Sequence, residues 1–153
     1  MRRCLLVIGF VTLVAPAATA QLPVLDLRLG AHAGMPTGDL GDAYDTGFGV
    51  YGRLGAPVGP LKLMASATWN RLKGIATAST TDLDVVTVTA GPHFGMAMLD
   101  VGIEGGYFSQ FQEFGASPNV SLKLLRYELT ASYNMTFQDP KGSWLTLGAG
   151  LRF

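Results

Sequence analysis

Leu125-Arg126-Tyr127-Glu128-Leu129-Thr130-Ala131-Ser132-Tyr133-Asn134-Met135-Thr136-Phe137 alternates apolar and polar residues without a break. Successive side chains of a strand point to opposite faces, so period two marks a strand with one greasy face and one polar face. Here Leu125, Tyr127, Leu129, Ala131, Tyr133, Met135 and Phe137 share one face, and Arg126, Glu128, Thr130, Ser132, Asn134 and Thr136 share the other.

The same period recurs on both sides of this stretch. Downstream, residues 138–143 are a polar loop, and residues 144–153 put Leu145, Leu147, Ala149, Leu151 and Phe153 on the apolar face. Upstream, alternation predicts strands over 26–35, 46–56, 61–70, 83–96 and 99–108. A further strand over 114–122 is needed for even parity, although Pro118 interrupts its pattern. Pro92 interrupts the strand over 83–96, where a bulge is expected. The connections at 57–60, near 97–98 and near 122–125 are short, whereas 36–45 and 71–81 read as longer loops rich in turn formers.

About eight strands, joined alternately by short turns and longer loops, predict an all-β fold: an antiparallel up-and-down transmembrane β-barrel. Composition agrees, because 48% of the residues are hydrophobic, 14% are charged and 20 are glycine. Apolar residues spread at every second position suit strands that face lipid on one side.

The N-terminus reads as a secretory signal over residues 1–20, with the barrel over 21–153. Arg2 and Arg3 supply the positive region, residues 5–14 the apolar region, and Ala18-Thr19-Ala20 the small-residue cleavage site. The apolar stretch is far short of the roughly 20 residues a spanning helix needs. Cleavage removes the single cysteine, Cys4, and with it disulfide and thiolate-metal chemistry. It also leaves nine basic residues against eleven acidic ones, a balance that offers no footprint for nucleic acid.

Charge decides which face meets lipid. The polar faces carry Arg28, Arg53, Lys62, Asp100, Glu104, Arg126, Glu128 and Arg152. An Arg or Lys against lipid costs about 2–4 kcal/mol at the bilayer midplane, so these side chains are expected to form a lumenal charge network together with Asp26. A lipocalin-like soluble carrier alternates too, but it turns its apolar face inward. Two aromatic belts are expected outside: Phe48, Trp69, Tyr107, Tyr133, Phe137 and Trp144 towards the long loops, and Phe94, Tyr127 and Phe153 at the opposite rim. An eight-stranded lumen is just wide enough for side chains to fill, which speaks against an open pore.

The last residues, Thr146-Leu147-Gly148-Ala149-Gly150-Leu151-Arg152-Phe153, resemble the C-terminal assembly signal of outer-membrane proteins at Thr146, Gly148, Leu151 and Phe153. Gly34-Met35-Pro36-Thr37-Gly38-Asp39-Leu40 and Thr46-Gly47-Phe48 likewise resemble small outer-membrane β-barrel proteins of the OmpA/OmpX/OmpW-like group. The resemblance implies a Gram-negative outer membrane, lipid as surroundings and insertion by the barrel assembly machinery; a monomer is expected. The resemblance implies no single activity.

The two histidines of the barrel, His32 and His93, fall at different heights, so paired catalysis or a shared metal is not expected. No enzyme, cofactor or metal is expected. Three readings remain: a structural or surface-interaction barrel acting through its loops at 36–45, 71–82 and 111–117, a narrow channel for ions or small apolar solutes, and a lipid-modifying enzyme. The first is preferred, because the residues for the third are scarce.

Overall fold

The computed structural model describes residues 25–75, 80–137 and 142–153. The signal-peptide reading lies outside the described residues, as do parts of two predicted loops.

Eight strands form one closed sheet in chain order. They are β1 (Asp26–Thr37), β2 (Tyr44–Val58), β3 (Leu61–Gly74), β4 (Leu83–Met96), β5 (Leu99–Phe108), β6 (Glu113–Leu124), β7 (Tyr127–Thr136) and β8 (Ser143–Arg152), with a short helix α1 (Asp39–Ala43) between the first two. Every strand pairs antiparallel with its successor, and β8 closes on β1 from Arg28↔Arg152 to Thr37↔Ser143. Beyond that ladder, the Phe153 amide donates to the Leu27 carbonyl at 2.9 Å. Closure leaves no strand edge to template pairing with another chain.

The three short connections sit at the end of the barrel where the chain enters and leaves. Each contains a residue in the left-handed region: Gly59 at φ 61°, Ala97 at φ 43° and Leu125 at φ 57°. Leu125 and Arg126 therefore form a turn, so β7 begins at Tyr127 and not at Leu125 as the alternation suggests. At the other end, β3 runs to Gly74 and β6 starts at Glu113. The predicted loop over 111–117 thus contracts to the turn over 109–112, and Ser117 is buried inside the barrel.

The expected bulge at Pro92 does not occur. Leu63↔Pro92 belongs to an unbroken β3–β4 ladder, and β4–β5 pairing keeps one register from Ala90↔Gly105 to His93↔Gly102. The proline's missing N–H is absorbed as a local gap between those two pairs. Pro118 behaves the same way, pairing with Ile103 on one side and falling between Ala116↔Met135 and Asn119↔Ser132 on the other. The register shift lies instead between Asp45 and Phe48 on β2. Gly47 sits in that irregularity because a Cβ there would run into the Arg71 carbonyl.

Burial is inverted relative to a water-soluble domain. Leu29 is 49% exposed, Val88 61% and Ile103 54%, while Arg28 and Glu128 are fully buried. A lipocalin-type arrangement would show the reverse, since its apolar side chains line the interior. Apolar patches of this extent are left open by proteins that have something apolar to cover them. Above the exterior band, edge-to-face pairs form between Phe48 and Trp69, with ring centroids 5.7 Å apart, and between Tyr107 and Phe114 at 5.8 Å. Trp144 departs from the expected belt, because it points into the lumen and is fully buried.

Candidate functional site

Side chains fill the lumen in three tiers. The lowest, towards the short turns, is built around Arg28. Period two sends Asp26 and Arg28 inward from the same strand, and the guanidinium binds the Asp26 carboxylate through two bonds of 3.1 and 2.7 Å. Arg28 Nη2 also reaches Asp100 Oδ2 at 2.7 Å, and Nη1 reaches Glu128 Oε2 at 2.8 Å. One cation on β1 thereby ties together β1, β5 and β7.

Further pairs widen the tier. Lys62 Nζ lies 2.5 Å from Asp26 and 3.4 Å from Asp100, and Arg152 Nη2 lies 3.3 Å from Asp26. His93 Nδ1 meets Asp100 Oδ1 and His93 Nε2 meets Glu104 Oε1, both at 2.9 Å. The His93 ring thus bridges two carboxylates, one at each ring nitrogen. The Tyr51 hydroxyl donates to Glu128 Oε1 at 3.0 Å. Room for these large groups comes from glycines opposite them: a Cβ on Gly102 would collide with the His93 ring, and one on Gly30 or Gly150 with Tyr51.

The sequence-derived residues do not all meet here. Arg126 is exposed in the short turn and makes no ion pair among the described residues. It was expected in the network because the alternation runs through the turn. Arg53 faces inward, but it binds the hydroxyls of Thr130 at 3.2 Å and Ser121 at 3.4 Å in place of a carboxylate. Lys123 was not expected, yet its Nζ comes within 3.8 Å of Asp100 because β6 extends to Leu124.

The middle tier is uncharged apart from Arg53 and Glu104. Ser66, Thr68, Asn70, Thr87, Thr89, Ser117, Thr130, Ser132, Asn134 and Thr146 surround a polar cavity of ≈ 20 Å³, together with His32 and Tyr51. Hydroxyls bond in pairs across strands, Thr68 with Thr87 and Ser132 with Thr146. His32 Nε2 meets Asn70 Oδ1 at 2.5 Å, well away from the carboxylates that hold His93.

The upper tier, towards the long loops, is apolar, which the reading of a polar lumen missed. Leu40 from α1 joins Leu72, Leu83, Val85, Phe108 and Trp144 in one buried cluster, with Tyr44 and Phe111 packed on it. Trp144 meets Phe108 edge-on at 5.6 Å and stacks with Phe111 at 6.0 Å. Above the cluster, Asp39, Leu40, Ala43, Tyr44, Leu83, Gln110, Phe111 and Gly142 line a cleft of ≈ 330 Å³ that opens to the outside.

Such a lumen can brace the sheet, because its ion pairs and hydrogen bonds run between strands. Among the described residues no three His, Cys, Asp or Glu side chains gather as a metal site would require.

Thr146 and Gly148 of the assembly motif face inward, whereas Leu151 and Phe153 are 45% and 67% exposed on the outer surface.

No family model and no curated protein matches the chain. Among solved structures it is similar to the outer-membrane protein Ail of Yersinia pestis in a phospholipid nanodisc, with a TM-score of 0.53 and 18% identity over 84% of this chain and 98% of that one. Crystalline Ail gives 0.53 and 20% identity over 84% and 97%. Neisserial surface protein A gives 0.54 and 14% over 84% and 97%. The chain therefore has the fold of small outer-membrane β-barrels.

Proposed function

We propose that this chain is an integral outer-membrane barrel of a Gram-negative bacterium, non-enzymatic, with a surface-interaction role carried by its long-loop end. The observation that carries the reading is the inverted burial: exposed Leu, Val and Ile side chains around the waist, and Arg28, Glu104 and Glu128 buried inside. A charged lumen needs walls that hydrocarbon can wet, because unpaired backbone groups and charges are expensive in lipid and a closed barrel leaves none outside.

The filled lumen favours this reading over a channel. Solutes would have to pass the Trp144–Phe108 tier and then the Arg28 tier, both fully buried. The loop end, by contrast, presents the cleft beneath α1 with Asp39 at its lip. Ail is named an attachment invasion locus protein, and a surface-adhesive role is the corresponding proposal for this barrel. Phe153, Leu151, Gly148 and Thr146 are proposed as the segment read by the barrel assembly machinery, the first two exposed on the apolar outer face at the end of β8. With the sheet closed on itself, the working unit is proposed to be a monomer.

The test uses the absence of cysteine beyond Cys4. In intact cells, Asp42→Cys should react with a membrane-impermeant maleimide, and Arg126→Cys should react only after lysis. The opposite pattern would overturn the orientation, and labelling of neither site before lysis would overturn the surface assignment.

A further inference from the structure

Arg53 stands apart from the other cations of the lumen. Among the described residues Arg28, Lys62, Lys123 and Arg152 all make ion pairs, the longest being Lys123 to Asp100 at 3.8 Å. Arg53 has none. It is 6% exposed, its guanidinium carbon lies 5.0 Å from the centre of the Tyr51 ring, and its Nε has no hydrogen-bond partner. A buried ion left unpaired costs several kcal/mol, so a guanidinium in this state calls for a counterion.

The side chains of the lumen do not provide one. Four carboxylates, Asp26, Asp100, Glu104 and Glu128, face five arginine and lysine side chains, Arg28, Arg53, Lys62, Lys123 and Arg152. Glu104 lines the same cavity as Arg53, but its oxygens are already engaged, Oε1 by His93 at 2.9 Å and Asn119 at 3.2 Å, and Oε2 by Thr89 at 2.6 Å. Arg53 and Ser66, whose buried hydroxyl also lacks a partner, both border the ≈ 20 Å³ cavity of the middle tier. That volume admits about one water-sized particle.

We propose that this cavity is a binding site for a single small inorganic anion of halide size, held as the counterion of Arg53. The ion would accept from Arg53 Nε and from the Ser66 hydroxyl, the two donors left open on the residues that line this cavity. Sulfate and phosphate are too large for the space. A lone water would fill it and satisfy both donors, but it would leave the charge uncompensated, which makes water the rival occupant.

Fully buried side chains lie on either side of the cavity, Trp144 and Phe108 in one tier and Arg28 and Glu128 in the other, so the barrel is folded in the presence of the ion. The mature chain is refolded in detergent in sodium chloride, sodium bromide or sodium gluconate at equal ionic strength, and the temperature at which the compact gel band is lost is recorded. Halide should raise that midpoint by about 2–4 °C, saturably. Arg53→Met should fold to a barrel with the same midpoint in all three salts. Crystals grown in bromide should show anomalous scattering beside Arg53 Nε, a readout that does not depend on whether Arg53→Met folds. Equal midpoints for the unmodified chain, a halide effect that survives in Arg53→Met, or a cavity holding water without a bromide signal would overturn the proposal.

Discussion

Arg28 on β1 donates to Glu128 on β7 across the lumen at 2.8 Å, with both side chains fully out of solvent. Charges at this depth tie strands together only while they are matched, because desolvation falls due on every group left without a partner.

The pair predicts an asymmetry between its members. Arg28→Met leaves Glu128 without a cation and takes one partner each from Asp26 and Asp100, and should cost about 3–5 kcal/mol. Glu128→Gln should cost clearly less, since the amide oxygen still accepts from Arg28 and the Tyr51 hydroxyl can rotate to accept from the amide nitrogen. Urea midpoints of the two refolded variants check the order, and an equal or reversed order contradicts it.

The apolar upper tier makes a second prediction. Trp144→Ala empties a fully buried site between Phe108 and Phe111 and should cost about 3–5 kcal/mol. It should nevertheless leave planar-bilayer conductance at background, because the charged tier still closes the other end. Steady single-channel steps in this variant would show that the Arg28 tier does not seal the barrel.

Gly102 supplies a steric prediction. A side chain there meets the His93 ring directly, so Gly102→Val should overpack the lower tier at a cost of about 1–3 kcal/mol or more. Gly105 lies on the same strand, with only the Gly115 carbonyl oxygen near at 3.8 Å, and should accept alanine with little change. Urea midpoints of Gly102→Val and Gly105→Ala, measured side by side, test the contrast.

Two arginine substitutions contrast the outside with the rim. Ile103→Arg puts a charge on the exposed waist and should cost about 2–4 kcal/mol in lipid. Arg126→Ala, in an exposed turn and without an ion pair among the described residues, should stay within about 0.5 kcal/mol of the parent. Reversible unfolding in phospholipid vesicles measures both.

The strand pattern was legible because lipid and lumen impose period two on every strand. β4 and β5 occur at the residues the alternation marks, Leu83–Met96 and Leu99–Phe108. The errors arise where that period carries no information. Leu125 and Arg126 continue the alternation but turn the chain, since a left-handed φ at Leu125 leaves no trace in polarity. Lys123 was lost with the last residues of β6. Trp144 shares the parity of Thr146, and an expectation about interfacial aromatics overrode that sign. The apolar tier was visible in part, because Leu83 and Val85 fall on the inward parity of β4. Leu72 fell in a stretch read as loop, and Leu40 is delivered by α1, which no strand pattern could announce. Which lumenal charges pair depends on register between strands distant in sequence, as in Arg28 with Asp100 and Glu128, and no local pattern encodes that.

The two tryptophans offer the most direct test of the inverted barrel. Trp69 packs on Phe48 at the outer surface, and Trp144 is fully buried in the lumen. Fluorescence is measured for Trp144→Phe and Trp69→Phe variants refolded in phospholipid vesicles with and without bromine-labelled acyl chains. Strong quenching of Trp69 and little quenching of Trp144 is the predicted result. Quenching of Trp144 as strong as that of Trp69, or no quenching of either, would contradict an apolar exterior set in lipid around a filled lumen.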